Sequence, residues 1–217
     1  MPASYVFNKM IRTEMSKLSK PVSLLVFIDK IKQPQNYDYT RSILKTYEEN
    51  SNGMLRINEI QVNNNDDLEK KYNIKRVPTI LFVDNDGNEV IRYFSAPQGS
   101  EIQPFIQALL VFAGSPNYYE KAIQENLNKI QPSIIKVLVS NSCTFCPSVM
   151  DIVSKFALAS NGKIKAEIID IEENADIGQK YNVCSVPYII INEKSILDGM
   201  CAANEIIEAI IGETNKK

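Results

Sequence analysis

The chain has 217 residues, 44% of them hydrophobic, and a formal charge of -2 at pH 7. That length admits one large or two small domains, the charge gives no nucleic-acid footprint, and no run of 18 apolar residues offers a membrane span. Histidine is absent, which removes Ser-His-Asp, Cys-His and every histidine-bearing metal site.

The first ten residues carry polar breaks and do not read as a secretory signal. Four cysteines do not make a disulfide scaffold, so a cytoplasmic location is the default expectation. Tyr5 to Leu18 reads as a helix, with Val6, Met10, Ile11, Met15 and Leu18 on one apolar face. Pro21 stops it, and Val22 to Ile28 is a buried strand by its β-branched and apolar content. Lys30 to Tyr37 is polar and turn-like. A helix is expected over Tyr39 to Asn50, a strand over Leu55 to Val62 and a short helix over Asp66 to Tyr72. Thr79 to Val83 and Glu89 to Phe94 pair as a hairpin around Asn85-Asp-Gly87. Glu101 to Phe112 is the closing helix.

Gly114-Ser-Pro116 marks a boundary, and the order then recurs. Tyr118 to Ile130 is a helix, Ile134 to Val139 a strand, and a long helix runs to about Ala159. Lys165 to Ile171 is a strand, Asp176 to Tyr181 a short helix, Tyr188 to Ile191 and Ser195 to Leu197 a hairpin, and Ala202 to Ile211 the last helix. Residues repeat as well as elements. Lys71-Tyr72-Asn73-Ile74-Lys75-Arg76-Val77-Pro78 matches Lys180-Tyr181-Asn182-Val183-Cys184-Ser185-Val186-Pro187. The same offset of 109 residues lays Leu55–Val62 on Ile164–Ile171 without a gap. The chain therefore reads as a duplication, with units over 1–114 and 115–217. Each is an α/β unit, a central mixed sheet flanked by helices, with a right-handed parallel crossover.

Between the second unit's first strand and its long helix stands Ser140-Asn-Ser-Cys143-Thr144-Phe145-Cys146-Pro147. A Cys-x-x-Cys alone is ambiguous between zinc and redox chemistry; a strand–turn–helix context favours redox. Cys143 falls at or just before the first helical turn, where unpaired amides and the helix dipole stabilise a thiolate. Cys146 lies one turn further in, close enough for a small-ring disulfide. Two inert helix thiols are the alternative. Cys184 and Cys201 are open between packing thiols, a secondary redox pair and a metal site shared with Cys143 and Cys146.

Cys143-Thr144-Phe145-Cys146-Pro147 with Ser185-Val186-Pro187 downstream resembles the thioredoxin/glutaredoxin superfamily. The two-unit arrangement, cysteine-free first and cysteine-bearing second, resembles the glutaredoxin-like protein disulfide oxidoreductases and the amino terminus of the alkyl hydroperoxide reductase flavoprotein. The resemblance implies two tandem thioredoxin-like folds. It implies Cys143 as attacking thiolate and Cys146 as resolving thiol. It also implies a cis Pro187 facing that pair, with Val186 offering backbone groups to an extended substrate beside Thr144 and Phe145. Pro78 is the counterpart of Pro187. The thioredoxin pattern places an acid in the strand before the cysteines, where this chain has Val137; Glu167 is a candidate acceptor, weighed against a solvated strand residue. The last hairpin resembles glutaredoxin more than thioredoxin, but Asp198-Gly199-Met200-Cys201 is an incomplete glutathione pattern.

The leading expectation is thiol–disulfide exchange on proteins, as reductase or isomerase, with no bound cofactor or metal and a thioredoxin-reductase-like electron donor. No histidine stabilises the thiolate, so the expected potential is about -270 to -200 mV. A relay of electrons to a peroxiredoxin is the alternative within the same chemistry. A binding or assembly module is the alternative of another class, and the silent first unit is its main support.

Overall fold

The computed structural model describes residues 3–64 and 66–214. Its elements run α1 (Ala3–Met15), β1 (Val22–Ile28), α2 (Pro34–Glu49), β2 (Leu55–Gln61), α3 (Asp66–Lys71), β3 (Thr79–Val83) and β4 (Glu89–Tyr93). A 3-10 turn at Gly99–Glu101 leads into α4 (Ile102–Phe112). The second series is α5 (Glu120–Asn126), β5 (Ser133–Val139), α6 (Cys146–Ala159), β6 (Ile164–Asp170), α7 (Ala175–Lys180), β7 (Tyr188–Ile191), β8 (Ser195–Asp198) and α8 (Ala203–Thr214).

Two helix boundaries differ from expectation for local reasons. Pro34 occupies the first turn of α2, where a missing amide costs nothing, so the segment read as a turn already contains the helix start. The helix expected over Tyr118 to Ile130 is shorter: Asn117 Oδ1 accepts the Tyr119 amide at 3.0 Å before it, and Leu127 to Ile130 tighten into turns after it. Val6, placed on the α1 apolar face, has a side chain outside the described residues; Ile11, Met15 and Leu18 are buried there, while Met10 is exposed.

The repeated Tyr-Asn step has a mechanical cause. Asn73 (φ 48°) and Asn182 (φ 52°) each stand in the left-handed region after a short helix. Asparagine tolerates that conformation and ends helices by it. The amides of Ile74 and Val183 then reach back to Glu69 and Gly178 carbonyls at 2.9 and 3.0 Å. Both Val77-Pro78 and Val186-Pro187 are cis, as the resemblance implied.

The expectation of a separate sheet in each unit is corrected. Among the described residues the strands form one eight-stranded sheet in the order β2-β1-β3-β4-β6-β5-β7-β8. Each half has the same plan: β1 is parallel to β2 and antiparallel to β3, and β5 is parallel to β6 and antiparallel to β7. The halves join where β4 runs parallel to β6, Ile91 opposite Ala166 and Tyr93 opposite Ile168. An open strand edge carries unpaired backbone groups; pairing β4 with β6 satisfies two such edges at once.

One face of this sheet is a single core crossing the seam, in which Phe82, Tyr93 and Phe105 pack with Val137, Cys146, Val153 and Ile168. On the other face lie two smaller clusters, Phe27, Ile60, Tyr72 and Leu81 within the first unit, and Phe94 of the first unit with Leu138, Ile169 and Ile190 of the second. Burial on both faces explains why β3 and β7 are apolar runs without alternation.

The first unit also reaches the loop that precedes the cysteines. Gly99 has φ +54°, and a Cβ there would lie 2.3 Å from the Asn141 carbonyl oxygen. The neighbouring Ser100 amide donates to that oxygen at 2.7 Å. Gly99→Ala is therefore expected to lose about 1–3 kcal/mol from the left-handed backbone alone, and to push the 140–142 loop off its seat. Denaturant midpoints measure the first effect; an unchanged midpoint would contradict this seating.

Candidate active site

β5 ends at Val139, the chain turns through Ser140 to Phe145, and α6 starts at Cys146 with Pro147 in its first turn. Cys143 and Cys146 are disulfide-bonded, with Cα atoms 5.5 Å apart. Cys143 is half-buried and Cys146 fully buried among Val149, Met150 and Val137. The Cys146 amide donates to Cys143 Sγ at 3.1 Å. That amide at the positive end of α6 favours a thiolate on Cys143 once the bond is reduced.

Val186 and Pro187 come to the same place. Cys143 Sγ lies 3.6 Å from the Val186 carbonyl oxygen. The Pro187 carbonyl accepts the Gly199 amide at 2.9 Å, and Ser185 Oγ donates to Asp198 at 2.8 Å. These two bonds bring the end of β8 alongside. Thr144 and Phe145 are exposed on the helix side of the pair, and Met200 is exposed on the other.

Cys184 and Cys201 are both free, Cys184 exposed and Cys201 buried. Burial first, then Glu205 and Asp198, push the Cys201 thiol up. A second disulfide is not formed. Among the described residues no group of three or more Cys, Asp or Glu side chains is arranged to hold a metal ion.

Glu167 is in the wrong place to serve Cys146. Its strand neighbours Ala166 and Ile168 face the shared core, so Glu167 faces the opposite side with Ile169. There it lies 3.7 Å from Lys136 Nζ. Burial raises its carboxyl, and Lys136 and Arg92 oppose that shift.

The residue that sequence reasoning missed is Glu101. It belongs to the first unit, is fully buried, and neither carboxylate oxygen has a protein hydrogen-bond partner. The 3-10 turn that carries it packs against α6 and the 140–141 loop. Burial, then Asp170, raise its carboxyl well above the ordinary carboxylate range. No spacing links residues 101 and 143, so only the fold reveals it.

In the first unit, Asp29 follows β1 as Ser140 follows β5. Its carboxylate accepts the Lys32 and Ile31 amides at 2.9 and 3.1 Å, and the Lys32 amide is the main cause of its lowered pKa. A carboxylate-capped turn thus stands where the other unit has its thiols. Pro78 is buried, while Ile31 in that turn is exposed.

A thioredoxin-domain family model matches residues 134–212. A probable thioredoxin of Methanothermobacter thermautotrophicus is 32% identical over 79 residues, 36% of this chain and 93% of that protein. The chain belongs to the thioredoxin family. Solved structures extend the likeness over both units. A protein disulfide oxidoreductase from Aeropyrum pernix aligns over 99% of this chain and 94% of its own, at 26% identity and a TM-score of 0.87. The NTD_N/C domain of the alkylhydroperoxide reductase AhpF from Enterococcus faecalis aligns over 95% and 98%, at 24% identity and 0.83. With its disulfide-bonded Cys-x-x-Cys at a helix start, this thioredoxin-family chain is an oxidoreductase. Among the described residues no helix is long and apolar enough to cross a membrane.

Proposed function

We propose that the chain is a disulfide relay. It takes two electrons from a separate flavin-dependent, thioredoxin-reductase-like enzyme and passes them to a partner disulfide, foremost that of a peroxiredoxin. The observation that carries this reading is the likeness of the whole chain, not its second unit alone, to a domain of an alkylhydroperoxide reductase. Support thereby moves from the general reductase or isomerase to the relay. The general protein disulfide oxidoreductase remains the second reading, favoured by the Aeropyrum pernix likeness.

In this reading the unit of residues 1–114 is catalytically silent apart from Glu101, and the unit of residues 115–217 carries the thiols. Its last hairpin keeps a glutaredoxin-like outline, but Asp198 is engaged by Ser185, which argues against glutathione as the ligand. Cys143 thiolate attacks one sulfur of the partner disulfide; an S–S bond forms and the other sulfur leaves as thiolate. Cys146 then gives its proton to Glu101 in its ionised form and attacks Cys143 Sγ, reforming the internal disulfide and releasing the partner's second thiolate. Two electrons have moved to the partner. Val186 and Pro187 hold the partner's backbone in an extended strand, with Thr144 and Phe145 against its side chains. Cys184 and Cys201 are assigned no step.

Purified chain, reductase and peroxiredoxin should together turn over peroxide with reduced nicotinamide, faster than the chain and reductase turn over insulin. Faster insulin reduction would favour the general oxidoreductase. No turnover of either would overturn both.

A further inference from the structure

Four carboxylates from both units gather beside the loop of the redox pair. Glu101 and Asp170 are fully buried, and Asp170 Oδ2, like both Glu101 oxygens, has no protein hydrogen-bond partner. Asp170 ends β6 opposite Val139, the last residue of β5 before the cysteine loop. Its Oδ1 accepts the Glu172 amide at 2.7 Å. Glu172 in turn accepts Ser140 Oγ and, at 3.3 Å, Asn141 Nδ2. Glu173 is exposed, and its Oε1 accepts Gln98 Nε2 at 3.4 Å. The Gln98 carbonyl accepts the Glu101 amide at 2.9 Å, so one residue ties Glu101 and Glu173 together.

A buried carboxylate without a partner is costly, and such groups respond by holding a proton. The groups facing Glu101 are Asp170 from β6, Glu172 and Glu173 from the loop after it, Tyr93 from β4 and Tyr47 from α2, with Asp151 of α6 acting on Tyr93. Asp170 and Glu172 act on Glu173; partial desolvation of its carboxyl, then these two, push it up to about 7. Two buried acids that repel each other cannot both ionise, so the pair carries a proton.

We propose that Asp170 and Glu173 are the proton exit from Glu101. They connect the sealed acid under the cysteine loop to solvent each time the Cys143–Cys146 bond forms or breaks. This rests on Glu101 as the acceptor for Cys146. When two electrons open the disulfide, the Cys146 sulfur leaves Cys143 as thiolate and takes the proton of Glu101. A proton from water then enters through Glu173 and passes by way of Asp170 to Glu101, restoring the pair's one proton. When the disulfide reforms, Glu101 first passes its proton outward by the same groups and then takes that of Cys146. Asp170 and Glu173 touch neither thiol; they act through Glu101.

The test uses the full chain with Cys184 and Cys201 replaced by serine, reduced and mixed with dithiobis(nitrobenzoate). The first thionitrobenzoate is released as Cys143 attacks, the second as Cys146 resolves the mixed disulfide. Glu173→Gln should leave the first phase alone and slow the second about tenfold, against about a hundredfold or more for Glu101→Gln. Imidazole buffer should restore the Glu173→Gln rate, because a mobile proton carrier replaces the missing exit. Asp170→Asn should slow the second phase without imidazole rescue, being sealed from solvent; if it fails to fold, the exposed Glu173 decides. Slowing by Glu101→Gln with no effect of Glu173→Gln, or an effect imidazole does not restore, overturns the exit and leaves the acceptor standing. No effect of Glu101→Gln overturns the acceptor, and the exit with it.

Discussion

Cys143→Ser is expected to abolish disulfide exchange in both directions, with insulin or a peroxiredoxin as partner. A serine hydroxyl does not ionise near neutral pH and forms no mixed disulfide. Cys146→Ser should instead stop after the first step, because Cys143 keeps its amide-stabilised thiolate but nothing releases the partner. That variant should accumulate a covalent complex visible on non-reducing gels and cleared by added thiol. Cys184→Ser and Cys201→Ser should retain exchange, since both thiols are free and outside the disulfide. Activity surviving in Cys143→Ser would defeat the assignment of the attacking thiol. Single-turnover release of reduced partner separates the two steps.

Glu101→Gln should make the protein more stable and less active. Burial raises the Glu101 carboxyl above its usual 4.5, so the folded chain binds that proton more tightly than the unfolded chain does. Below pH 4.5 both states hold it and it contributes no pH dependence. As pH climbs past 4.5 the unfolded chain releases it first, and folding stability falls progressively. Glutamine keeps the shape and carries no such proton. The stability curve should flatten over that interval, and the melting temperature at neutral pH should rise. Resolution by Cys146 should meanwhile slow about a hundredfold or more, the usual worth of a positioned base. Glu101→Asp, shorter but still ionisable, should recover part of the rate. A Glu101→Gln variant that gains no stability above pH 4.5 would mean that its carboxylate is compensated in the folded chain.

The assembly-module alternative is not needed to explain the first unit. Its turn at Asp29 is closed by backbone amides and its Pro78 is buried, which suits a scaffold; yet it supplies Glu101 and the seat of the 140–142 loop. Without cysteines in its own turn, it holds the loop that precedes those of the other unit.

Local chemistry was legible where the signal is short-range. The apolar runs Val22–Ile28, Thr79–Val83 and Tyr188–Ile191 are strands because β-branched and apolar residues buried on both faces leave little else. The Tyr-Asn helix stops and the Cys-x-x-Cys at a strand–helix turn lie within a few residues of one another, so their spacing is their geometry. The duplication was legible because the same turns recur at one offset. The long-range arrangement depends instead on which strand edges meet. Whether β4 pairs with β6 is a question of backbone groups, which every residue carries alike, so side-chain pattern is silent on it. That pairing fuses two sheets into one, sends Glu167 to the far face, and packs the turn that carries Glu101 in one unit against the helix that Cys146 starts in the other, across a separation that no sequence motif spans.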